Sequence, residues 1–103
     1  YYVTAIRTAL EGGVLNSKDE LSFDHPAFDT EEEWEHFLES VWQNVSILAD
    51  LIENLPDEKL WEPFTDAKYG TYYRNIQGMI EHTHYHLGQI VILKKMILQE
   101  ATR

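Results

Sequence analysis

The chain contains no cysteine. That absence excludes a disulfide framework and a thiolate metal site, and it leaves the redox compartment unread. Basic residues are scarce: 8 Lys and Arg stand against 18 Asp and Glu, a formal net charge of −10. Nucleic acid and anionic membrane both select a cationic surface, so neither is an expected partner. Long apolar runs are missing too. The longest in the C-terminal helical pattern is Ile90-Val91-Ile92-Leu93, far short of the ~20 residues that a spanning helix needs. No signal-peptide pattern is visible, and a cytoplasmic address is expected. A cation, by contrast, is drawn toward so acidic a chain, over distances that salt limits.

What is present fits one small all-α domain covering residues 1–103. Hydrophobic residues make up 44% of the 103, enough for a packed core and too many for disorder. Residues 1–10 lack an initiator Met and an N-capping side chain. They read as the interior of a helix already under way, so a segment upstream is expected to be missing.

The first predicted helix covers residues 2–11 and stops at Gly12-Gly13. The long connection 14–29 is expected to pack through Leu21, Phe23 and Phe28. Thr30 followed by Glu33 is a capping-box pattern. Glu31, Glu32 and Glu33 place negative charge at the positive end of the helix dipole. From there Trp34, Phe37, Leu38, Val41, Trp42, Val45, Leu48, Ile52 and Leu55 recur at helical steps, and the helix ends near Asn54, before Pro56. Residues 56–61 suggest one short helical turn, and 63–70 a connection. The third helix is expected to start at Thr71 or Asn75 and to run to about Gln99. Its apolar arc holds Ile76, Met79, Ile80, Thr83, Leu87, Ile90, Val91, Ile97 and Leu98, with Lys94 inside it as a snorkelling ammonium. No strand-type alternation or internal repeat is present. Long helices with this patterning predict an antiparallel bundle, with Trp34, Trp42 and Trp61 as core or interface anchors.

One segment speaks of chemistry. His82 and His86 lie four residues apart, so on a helix they share a face one turn apart. Two neutral imidazoles so placed supply half of a tetrahedral site for zinc, nickel, copper or iron(II). Gln89, one turn further on, is positioned to orient an imidazole, a water or a ligand. The alternative is that both rings are interfacial, with their nitrogens satisfied by backbone or water. His84 points away from both and is expected on the surface. His36 is expected to be solvated, and His25, before Pro26, to serve a turn. The segment is not a zincin motif, because Thr83 stands where that motif needs a Glu general base.

Glu81-His82-Thr83-His84-Tyr85-His86-Leu87-Gly88-Gln89-Ile90, followed by Lys94-Lys95, resembles the last-helix signature of the DinB-like, or YfiT-like, metal-dependent enzymes. That signature is H-x-x-x-H-x-G-Q-I, often with Tyr before the second His. His25-Pro26-Ala27-Phe28, the start Glu32-Glu33-Trp34 and residues 57–60 resemble the same family less specifically. The resemblance implies an antiparallel four-helix bundle of DinB/YfiT type, commonly a homodimer, with zinc or nickel on three histidines. Two of these carry over onto His82 and His86. The third belongs to an earlier helix and would lie ahead of Tyr1, so the first helix of the bundle is expected to be absent from this chain. Thr83 departs from the family at a position where Asp is frequent, which puts an outer contact in doubt.

Two functions follow as expectations. One is a metal-dependent thiol S-transferase or hydrolase acting on small molecules, in which the metal lowers the pKa of a thiol or water; no carboxylate is placed as general base. The alternative is a non-enzymatic dimerisation or stress-associated module with a structural or decayed metal site.

Overall fold

The computed structural model describes residues 1–13, 20–21 and 25–102. Among the described residues three α-helices form, α1 (Tyr2–Leu10), α2 (Glu31–Glu53) and α3 (Tyr72–Ala101), with 3-10 helices at Asp57–Trp61 and Ala67–Tyr69 between the last two. The described residues carry no β-strand, only an isolated antiparallel bridge between Pro63 and Thr71. The fold is all-α, and among the described residues no helix is long and apolar enough to cross a membrane.

The helix starts follow their sequence signals. The Thr30 side chain accepts from the Glu33 N–H at 3.1 Å, while the Glu33 carboxylate accepts from the Asp29 N–H at 2.9 Å. The reciprocal bond thus closes one residue further upstream than a capping box places it. At the head of α3, Thr71 rather than Asn75 is the cap, accepting from the Arg74 N–H at 3.1 Å. Asn75 instead donates to the carbonyls of Tyr69 and Thr71 at 2.9 and 2.8 Å. α3 runs two residues beyond the predicted Gln99.

α1 sits between the other two helices. Its Ile6 and Ala9 are buried together with Leu48 of α2 and Phe64, and Met79 and Tyr72 of α3 pack against that cluster. A polar clamp flanks it. Asn44 donates to Thr4 Oγ1 at 2.6 Å and accepts from Arg7 Nη1 at 2.8 Å.

Residues 63–70, expected as a bare connection, deliver the most deeply buried side chain in the structure. Phe64 is fully buried and lies edge-on to Tyr72, with ring centroids 5.1 Å apart. Its N–H donates to the Gly70 carbonyl at 2.8 Å, and the Tyr72 N–H donates to the Glu62 carbonyl at 3.1 Å. The loop is therefore pinned to the first turn of α3, which sets where that helix points. Gly70 has φ 83° and ψ −159°, a region open essentially to glycine alone.

Two expectations about the core need correction. The apolar arc of α3 packs only near its start: Ile76 is buried, but every residue from 80 to 102 is exposed. The tryptophans, expected as core or interface anchors, stand outside the core, with Trp34 41%, Trp42 70% and Trp61 65% exposed. The reason is length. α1 has 9 residues and α3 has 30, so α1 covers only the first turns of α3 and the rest projects. The radius of gyration is accordingly 16.6 Å, against about 13 Å for a compact chain of this size. Of the apolar residues expected to pack the 14–29 connection, Phe28 meets Trp34 and Phe37 at ring distances of 5.2 and 5.1 Å. Leu21 is exposed, and Phe23 lies outside the described residues.

Candidate metal site

α3 carries His82 and His86 on one side, as their spacing requires. The rings meet edge-on, with centroids 4.4 Å apart and planes at 87°. Their Nε2 atoms stand 2.9 Å apart. The Nδ1 of His86 lies 2.7 Å from Gln89 Oε1, and the Gln89 amide nitrogen donates to Tyr85 Oη at 3.4 Å. With the Gln89 amide oxygen turned toward His86, these contacts fit one arrangement of hydrogens. The Gln89 oxygen only accepts, so His86 Nδ1 carries its proton and His86 Nε2 keeps a lone pair. The short contact between the rings then requires His82 to donate from Nε2. A single hydrogen occupies the place between the two nitrogens.

A metal ion held by both nitrogens would lie beside the line that joins them, with each ring turning its lone pair toward that common point. Two nitrogens each about 2.0–2.1 Å from one ion stand about 2.9 Å apart at a right angle, and about 3.4 Å apart at a tetrahedral one. The observed 2.9 Å matches the former separation once both lone pairs turn to the ion. The latter needs a parting of a few tenths of an ångström, which exposed side chains make easily. His82 must move its proton to Nδ1 to expose a second lone pair. His86 is already in the required tautomer, held there by Gln89, as partners outside the coordination sphere commonly hold ligating imidazoles. The donor chemistry therefore fits two ligands of a divalent-metal site. Among the described residues, no group of three His, Cys, Asp or Glu side chains converges to hold an ion.

The surroundings come from two helices. Tyr2 of α1 lies edge-on to His82, with ring centroids 5.1 Å apart. Tyr85 stacks beside His82 at 6.3 Å and meets His86 at 5.4 Å. Together with Val3, Met79 and Leu87 they line an open cleft of about 1080 Å³ around the two imidazoles. Among the described residues, no Lys or Arg lines it. Tyr2 carries no signal of this role in the sequence, because tertiary packing alone brings α1 to the histidines. Tyr85 is readable as the neighbour of His86.

The other histidines stand apart from the pair. His84 is exposed, its Nδ1 3.1 Å from the Ile80 carbonyl. His25 turns its Nδ1 to the Pro26 carbonyl at 3.2 Å. His36 is exposed on α2. Thr83 donates to the Met79 carbonyl at 2.9 Å, an internal helix bond that leaves its hydroxyl proton occupied.

No family model, curated protein or solved structure matches this chain.

Proposed function

We propose that the chain is a divalent-metal-binding protein of the DinB-like kind, with His82 and His86 as ligands, Gln89 orienting His86, and zinc or nickel as the ion. The observation that carries this reading is the pair of Nε2 atoms 2.9 Å apart, with the far nitrogen of His86 already held by Gln89. The apolar faces left open on α2 and α3, including Val41, Val45, Val91 and Leu98, support a four-helix bundle in which a further helix packs on them. By the resemblance, that helix carries the third histidine. The bound metal supplies Lewis acidity that lowers the pKa of a thiol or water, the chemistry of an S-transferase or hydrolase for small molecules. This chain's residues do the rest: two imidazoles hold the ion, Gln89 fixes a tautomer, and Tyr2, Tyr85 and Met79 shape an apolar cleft beside it.

The test is elemental analysis of the purified protein and its His86→Ala variant after incubation with zinc and with nickel. About one ion per chain, lost in the variant, is the expected result. No bound metal in either protein would overturn the reading.

A second reading has its own observation. Leu87, Ile90, Leu93, Met96 and Ile97 are between 55% and 67% exposed on one projecting stretch of α3, and contiguous apolar surface of this kind marks an interaction site. On this reading the chain is a helical homodimerisation module, and the histidine pair is structural or vestigial.

A further inference from the structure

The cleft at the histidines does not end there. A second cavity of about 380 Å³ lies between α1 and α3, and the two share Tyr2, Met79 and His82 in their walls. Met79 is the flexible member of that wall, an unbranched side chain that yields to what passes it. Beyond it the lining includes buried Ile6 and Phe64 and then Tyr69, Asn75 and Arg74.

Among the described residues, Arg74 is the one Lys or Arg in the wall of this cavity. Arg7 is bound to Glu11 at 2.6 Å, and Lys59 to Glu62 at 3.0 Å. Among the described residues no carboxylate pairs with the Arg74 guanidinium, although acidic residues outnumber basic ones 18 to 8. Its stem passes close over Gly70, where a Cβ would stand 2.7 Å from Arg74 Cδ, so the glycine leaves room for this placement of the side chain. Arg74 is exposed, so a planar, permanently charged fork stands open to solvent at one end of the groove. Arg74 precedes His82 by eight positions on α3, about 12 Å along the helix axis.

We infer that this groove takes an elongated, apolar-bodied carboxylic acid, with its carboxylate on Arg74 and its far end at the His82–His86 pair. A carboxylate matches the guanidinium fork with two charge-assisted hydrogen bonds. The apolar body matches Ile6, Phe64 and Met79, and its length is that of the path between the two polar ends. Only the role of the far end, as the part presented to the ion, rests on the metal reading above; the acid-binding groove stands without it.

The experiment is calorimetric titration of the full chain, freed of metal by chelation, with straight-chain fatty acids of increasing length and with their methyl esters. The acid is expected to bind at least about tenfold more tightly than its ester, the value of one charge-assisted contact. Affinity should rise with chain length until the body spans about 12 Å. Arg74→Gln should bring the acid down to the level of the ester, and Arg74→Lys should restore part of the difference. Equal binding of acid and ester, an unchanged preference in Arg74→Gln, or no binding of either would overturn the inference. Zinc uptake by the same preparations reads the metal site independently: retention of zinc with loss of acid preference removes the groove alone, and the reverse removes the metal reading alone.

Discussion

Replacing His86 by Ala separates a ligand from a structural residue, and the structure supplies the magnitudes. His86 is exposed, and its hydrogen bonds to Gln89 and His82 are exposed as well. Water therefore replaces them at little cost, and surface substitutions of this kind stay within about 0.5 kcal/mol. Alanine is also the better helix former, by up to about 0.7 kcal/mol. The metal-free variant should consequently melt at the same temperature as the parent or slightly higher. Zinc should divide them. At a free concentration 100-fold above its Kd, an ion that binds only the folded state adds about 2.7 kcal/mol. For a domain of this size that raises Tm by about 10–20 °C. The parent should show that rise in a thermal melt followed by circular dichroism, and His86→Ala should show none. A metal-free variant destabilised by more than about 1 kcal/mol would refute the reasoning, since the ring would then be a structural element. So would a zinc-induced shift that survives the substitution.

Gln89→Leu removes the acceptor that orients His86 and should weaken zinc binding about 10- to 100-fold without altering helix content, as read by competition with a chromogenic chelator. Phe64→Ala empties the most deeply buried side-chain position and should cost about 3–5 kcal/mol in urea denaturation. Gly70→Ala forces an L side chain into a glycine-only conformation and against the stem of Arg74; a loss of about 1–3 kcal/mol in the same assay is expected. On the dimerisation reading, the parent sediments as a homodimer and Ile97→Glu, which places a charge on the projecting apolar stretch of α3, sediments as a monomer with an unchanged circular dichroism spectrum.

Local signals in the sequence were enough for much of this protein. The i, i+4 spacing of His82 and His86 determines that they share a face on any helix, whatever surrounds them, and Gln89 follows one turn later for the same reason. The threonine caps at positions 30 and 71 are legible because capping is settled within four residues of chain. Gly12-Gly13 and Pro56 end helices by backbone sterics alone. The all-α class follows from the same short-range periodicities.

Other features required the tertiary structure. Apolar periodicity along α3 is uniform, yet only its first turns are buried, because the short α1 covers no more. Phe64 sits in what reads as a connection, and only the closure of residues 63–70 onto the start of α3 sends it into the core. Tyr2 reaches His82, and Arg74 reaches the same groove from the other end, through packing between elements some seventy residues apart in sequence. Sequence spacing determines which side chains share a helix face; which of those faces finds a partner depends on the lengths and positions of the other helices, and those are non-local.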